Sequence, residues 1–200
     1  MNKKVIIIGA GGHAKVIRDI IEANGDKVKG FLDDKAQSTD CFNILGTVSD
    51  AESFSDGETE FFVAIGNGTV REKLMALPLK WYTAVHPSAV ISPYAEIGEG
   101  TCVMPYAVIN SNAKIGRGVI VNTCSSVDHD CKIGNFSHIS CGAHVAGTVY
   151  TGDRVWLGAG SATRNNINIC SDVLVGVGGA VVKDIKESGT YVGVPAKKIK

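Results

Sequence analysis

Two hydrophobic periods divide the chain. Up to Ala84, short apolar runs alternate with amphipathic stretches. Val5–Ile8 reads as a strand, followed by Gly9-Ala10-Gly11-Gly12-His13-Ala14. From Lys15 to Asn24, Val16, Ile17, Ile20 and Ile21 share one helical face. Lys27–Leu32 is a second strand and ends in Asp33-Asp34. Phe61–Ile65 is a third, then Gly66-Asn67-Gly68 leads into a helix from Thr69 to about Leu77, which Pro78 ends. Residues 1–84 therefore predict a small α/β, Rossmann-like domain, half the size of a full dinucleotide-binding unit.

From Val85 the period becomes six. Of the 17 positions taken at every sixth residue from Val85 to Val181, 15 hold Val, Ile or Leu. With 49 such residues among 200, chance would supply about four. Four residues after each anchor the side chain is small or β-branched in all 17 cases, as at Ala89, Ala95, Thr101 and Ala107. A helix of period 3.6 cannot hold this register. A β-solenoid can: three hexads, one short strand from each, make one triangular coil with the anchors inside. Coils stacked at about 4.8 Å would turn this stretch into a prism on the order of 27 Å tall. Residues 85–200 are read as this second domain plus a C-terminal tail.

Composition agrees with a β-rich chain. Val and Ile number 42 and Leu only 7; β-branched residues favour strands. Twenty basic residues balance 20 acidic ones, which excludes bulk-charge binding to nucleic acid. No apolar run reaches the roughly 18 residues of a membrane span, and Val5–Gly12 reads as a first strand rather than a signal peptide. The six cysteines form no C-x-x-C pair and read as free thiols of a reducing cytosol, so a cytoplasmic location is expected.

Candidate chemistry sits in both halves. Gly9, Gly11 and Ala14 fit G-x-G-x-x-A between a strand and a helix, where helix N–H groups attract phosphate. Asp33, at the end of the second strand, is placed to meet a ribose or base edge. So short a domain suits one nucleotide, such as a nucleotide-sugar, better than NAD. A glycine-rich turn that binds nothing is the alternative. His13 lies within the glycine turn, and His86, before Pro87, reads as structural.

His129 is flanked by Asp128 and Asp130, which can fix its tautomer and raise its basicity. Gly147 lies three hexads later, one coil on, where its N–H can face the same substrate atom. A base beside a backbone donor suits acyl transfer. A solvated surface histidine is the alternative. His138 and His144 are one hexad apart, so they fall on different faces, and convergence on a metal is not expected. Cys131 faces inward and Cys124 has no neighbouring His, so no acyl-cysteine nucleophile stands out. Lys183 to Lys200 carries five Lys against Asp184 and Glu187, either as a solvated tail or as a path for a phosphate-rich cofactor.

These motifs, with Ala64-Ile65-Gly66-Asn67, Phe136-Ser137-His138-Ile139-Ser140 and the ending Gly193-Val194-Pro195-Ala196-Lys197, resemble the sialic acid O-acetyltransferase NeuD family. The likeness is strongest to its bacterial UDP-4-amino-sugar N-acetyltransferases of the UDP-di-N-acetylbacillosamine route. The resemblance implies a left-handed parallel β-helix, a homotrimer with sites between subunits, and acetyl-CoA as donor without a metal. It implies His129 as general base and Asp130 as its orienting partner, where relatives often carry Glu. It implies His138, Gly147, Ala159 and Val177 along the acetyl-CoA, and Gly11, Gly12, His13, Asp33, Asp34 and Gly66 at the nucleotide-sugar. Acetylation of a sugar hydroxyl, a GDP-linked acceptor and a non-catalytic nucleotide-sugar scaffold remain the alternatives.

Overall fold

The computed structural model describes residues 2–39 and 41–200. The N-terminal part is a four-stranded parallel sheet. Strand β1 (Lys4–Ile8) leads into helix α1 (Gly12–Ala23), and β2 (Lys27–Leu32) pairs beside β1. The short β3 (Ile44–Gly46) adds outside β2, and a 3-10 segment, Val48–Phe54, follows. Strand β4 (Glu60–Val63) then joins the other side of β1, giving the order β3-β2-β1-β4. Helix α2 (Gly68–Leu74) completes this unit.

The first helix begins earlier than its apolar stripe suggests. Gly11 is its extended cap and Ala14 N–H already donates to the Gly11 carbonyl at 3.1 Å. His13 thus belongs to the first helical turn, not to the loop. Its buried face is Ala14, Ile17, Ile20 and Ile21, while Val16 stays 36% exposed. The third expected strand ends at Val63. The second helix starts at Gly68, because the Asn67 side chain accepts the Val70 N–H at 3.1 Å and caps it. Neither β3 nor the 3-10 segment has a clear apolar period, and neither was expected.

Beyond Ala84 the chain winds as a parallel β-helix. Each of its three faces recurs at every third hexad. The first carries Ala84–Val85, Cys102–Val103, Ile120–Val121, His138–Ile139, Trp156–Leu157 and Val173–Val175. The second starts at Val90–Ile91 and ends at Ala180–Val181; the third runs from Glu96–Ile97 to Asn168–Ile169. The anchors pack inside: Val103, Val121, Val127, Ile139, Leu157 and Val175 are 0% exposed. Turns are closed by a left-handed residue, glycine at 100, 118, 142, 160 and 178 and a larger residue at nine others, Asp130 among them.

Glycines of another set serve coil spacing. A Cβ at Gly134 would run into the Gly152 carbonyl of the next coil. The basic C-terminal stretch is not a loose tail. Ile185 is 6% exposed, and Gly189–Val192 extends the first face, with Lys197–Lys198 paired antiparallel to it. These residues close the open end of the solenoid. Among the described residues, no helix is long and apolar enough to cross a membrane.

The two parts share one core. Val5, Ile7, Ile17 and Ile21 of the sheet unit pack in a single cluster with Cys102, Met104 and Ile120 of the first face. Each of those side chains is at most 2% exposed. The α/β unit is therefore seated on the first face of the prism.

Candidate active site

The chain order of the sheet creates a crevice. It proceeds outward from β1 through β2 to β3 and then returns to the opposite side of β1 as β4. At such a reversal the loops after β1 and β4 diverge, and ligands enter at the carboxyl ends of the strands. Here those loops are Gly9–Gly11 and Ala64–Asn67. A Cβ placed on Gly11, Gly12 or Gly66 would meet nothing within 4 Å, so all three border open space.

Asp33 already has work within the protein. Its Oδ2 accepts the Ala10 N–H at 2.9 Å, and its Oδ1 accepts those of Lys35 and Ala36 at 2.8 and 2.9 Å. Burial alone would raise its pKa, but these bonds and the Lys35 charge outweigh it and hold the carboxyl below the usual range. Asp33 thereby fixes the glycine turn. Asp34 accepts the Val48 N–H at 2.9 Å and anchors the 3-10 segment.

His13 and His138 meet where α1 lies on the first face. Each imidazole has one buried nitrogen without a partner, Nε2 of His13 and Nδ1 of His138. Burial, then the charge of Arg71, pushes His13 down to about 4. Burial, Arg71 and the nearby His13 push His138 down to about 3. Both rings are neutral at pH 7. The other nitrogen of His138 lies 3.0 Å from Asn122 Nδ2, and its ring stacks on Trp156 at 5.2 Å and 26°. The indole N–H donates to Ser140 Oγ at 2.8 Å.

His129 stands at the corner between the second and third faces. Its Nδ1 is 2.8 Å from Asp130 Oδ2, which leaves Nε2 as the free lone pair when the ring is neutral. The Asp130 bond, followed by the Asp128 charge, raises the His129 pKa above its ordinary value. The two acids are themselves held from the coil below: Asn110 Nδ2 donates to Asp128 at 2.8 Å and Asn112 Nδ2 to Asp130 at 3.2 Å. The imidazole lies directly on Gly147. A Cβ there would sit 2.7 Å from both Cε1 and Nε2. Ala146 and Thr148 donate their N–H groups to Thr163 Oγ1 and the His129 carbonyl, whereas that of Gly147 has no acceptor among the described residues. A base nitrogen and a free backbone donor are thus neighbours at one corner.

The residues singled out from sequence fall into two groups. His129, Asp130 and Gly147 share one corner. Gly11, Gly12, His13, Asp33, Asp34 and Gly66 belong to the α/β unit, and His138 meets them on the first face. Ala159 and Val177 occupy successive coils at the corner that follows that face, joined by Gly178 N–H to the Ala159 carbonyl at 2.9 Å. Val177 is 82% exposed. The two groups lie on different sides of one prism. Cys131 is buried and its thiol donates to the Ala146 carbonyl at 3.1 Å, so it is not poised for attack.

Sequence reasoning missed Asn110, Asn112, Trp156 and Arg71. The first three stand one full coil from Asp128, Asp130 and His138 respectively, so register was the available signal. Arg71 had none.

Comparison with known proteins places this architecture. Residues 4–76 match the PglD N-terminal domain and residues 94–129 the bacterial transferase hexapeptide with six repeats. The acetyltransferase domain of PglB from Neisseria gonorrhoeae, solved with acetyl coenzyme A, is 38% identical, with a TM-score of 0.94 over 100% of both chains. The chain belongs to the PglB-type hexapeptide acetyltransferase family. Its solenoid is the left-handed β-helix of those enzymes. Within the family, PerB from Caulobacter crescentus, solved with CoA and GDP-perosamine, is 36% identical over 97% of this chain and 96% of that one, with a TM-score of 0.91. UDP-N-acetylbacillosamine N-acetyltransferase of Bacillus subtilis is 38% identical over 109 residues, 50% of each chain. The alignment thus spans about half the length of that curated relative.

Proposed function

We propose that the protein transfers an acetyl group from acetyl-CoA to the 4-amino group of a UDP-linked amino-deoxysugar. The observation that carries this reading is the His129–Asp130 pair resting on Gly147. His129 Nε2 accepts the proton of the attacking amine as nitrogen bonds to the thioester carbonyl carbon. The Gly147 N–H donates to the carbonyl oxygen as it gains charge. The His129 imidazolium returns its proton to the sulfur as the carbon–sulfur bond breaks.

The Gly11, Gly12 and Gly66 crevice holds the nucleotide, with His13 towards the sugar. His138, Ala159 and Val177 follow the acetyl-CoA. Since these groups and His129 lie on different sides of one prism, a neighbouring copy in a homotrimer completes each site. A GDP-linked acceptor is a second reading, favoured by the GDP-perosamine bound to PerB.

Release of CoA thiol with UDP- and GDP-linked 4-amino-sugars separates the two. His129→Ala is expected to lower kcat/KM roughly 10²–10⁴-fold without unfolding the protein. A folded variant with wild-type kcat/KM refutes the mechanism.

A further inference from the structure

Arg71 is the most deeply buried charged residue of the sheet unit, at 1% exposure. No carboxylate pairs with it among the described residues. Instead its five N–H groups meet five backbone carbonyls. Nε donates to Gly118 at 2.8 Å. Nη1 donates to Ile65 at 3.1 Å and Gly66 at 2.7 Å. Nη2 donates to Phe136 and to Ser137, the latter at 3.1 Å. A guanidinium has five donors in a fixed planar fork, so this one is saturated.

The carbonyls come from two places. Ile65 and Gly66 form the turn after β4, one wall of the nucleotide crevice. Gly118, Phe136 and Ser137 belong to two successive coils of the solenoid, and Ser137 directly precedes His138. We infer that Arg71 is a positioning residue of the acceptor site, pinning the Ile65–Gly66 turn to the coil that carries His138 and so setting where bound nucleotide lies relative to the two imidazoles. This rests on the nucleotide-sugar reading of the crevice.

The chemistry of the fork explains why a cation serves here. Carbonyl dipoles converge from both parts, and only a donor-only group can satisfy all of them at once. The cost of burial lowers the Arg71 pKa to about 10, so it remains charged at neutral pH. That charge also faces His13 and His138 and opposes their protonation. Around His138 the other neighbours are Asn122 and Trp156, neither of which carries charge.

Lysine in its place keeps the charge but has three donors, leaving at least two carbonyls unpaired. Methionine keeps the length and removes both. The test has a ligand-free arm and a kinetic arm. In the wild-type protein, nitrogen-15 NMR of the imidazoles should show two histidines that stay neutral from pH 8 to 5. Arg71→Met should raise both pKa values while burial keeps them below the ordinary range, and Arg71→Lys should leave them in place.

In thiol-release kinetics, both variants should raise KM for the nucleotide-sugar at least tenfold while KM for acetyl-CoA changes less than threefold. If Arg71→Met does not fold, Arg71→Lys carries the kinetic arm and the wild-type titration the other. Two wild-type histidines that titrate normally, or folded variants with unchanged KM for the nucleotide-sugar, overturn the inference. Absence of acetyl transfer by the wild-type protein would refute the proposed function instead, with the NMR arm and calorimetric binding of UDP or GDP still deciding the role of Arg71.

Discussion

Gly147→Ala separates chemistry from stability in one methyl group. The backbone at Gly147 is not left-handed, so alanine fits its conformation. The new Cβ would lie 2.7 Å from His129 Cε1 and Nε2. Carbon contacts settle near 3.5 Å, so the ring must retreat by about 0.8 Å. That retreat disturbs the Nδ1–Asp130 bond, now 2.8 Å, and the place of Nε2. The ring is the end of an exposed side chain, 57% accessible, and moves without disturbing the core. Folding should therefore be little affected, with Tm within a few degrees of wild type. A base misplaced by about 1 Å should cost on the order of 10²-fold in kcat/KM. Thiol release and a thermal melt on the same preparation measure both. Loss of stability with full activity in the remaining folded fraction would refute the reasoning. Gly134→Ala is the matched control, since its Cβ strikes backbone that cannot swing aside. It should destabilise the solenoid by about 1–3 kcal/mol or prevent folding.

Two further outcomes follow from the carboxylates. Asp130→Asn removes the charge-assisted bond that raises the His129 pKa. Because His129 acts as the free base, the acid limb of kcat/KM should move to lower pH while the plateau falls; a pH–rate profile reads both. Asp33→Ala strips the acceptor from three backbone N–H groups and should cost about 1–3 kcal/mol and weaken nucleotide binding. The folded pKa of Asp33 lies below its ordinary value. Its stabilisation is thus complete above about pH 4 and disappears as pH falls through the folded value, so wild-type and variant melting curves should converge in acid.

The solenoid was legible because its signal is local and repeated. Each coil needs an apolar anchor at the same place, and no insertion shifts the count from Val85 to Val181. The same register placed His129 over Gly147 from the sequence alone. The α/β unit was legible in outline, but its helix starts were not, because the extended Gly11 and the Asn67 side chain start the helices ahead of the expected positions.

Asp33 shows a different limit. A carboxylate after a second strand suggests a ligand, and the spacing does not reveal that three N–H groups already claim it. Arg71 was invisible because its partners are carbonyls, which every residue has. A buried arginine leaves a trace in sequence only when a matching acid is present.

The turn holding Asp130 has a wider consequence. Its backbone sits at φ 58, the same left-handed setting found at Asn112, Thr148 and Asn166 of neighbouring coils. The acid beside the base therefore occupies an ordinary vertex of the winding, and its strain is no greater than that of its counterparts above and below. His129, its two acids and the asparagines beneath them lie between Asn110 and Asp130, with Gly147 one storey higher. This makes the reactive corner a portable cassette. An insertion between His129 and Gly147 would carry the base off its donor, whereas one outside that stretch leaves the pair in contact. The pair therefore depends on the unbroken 18-residue interval between His129 and Gly147 and not on the number of coils in the prism.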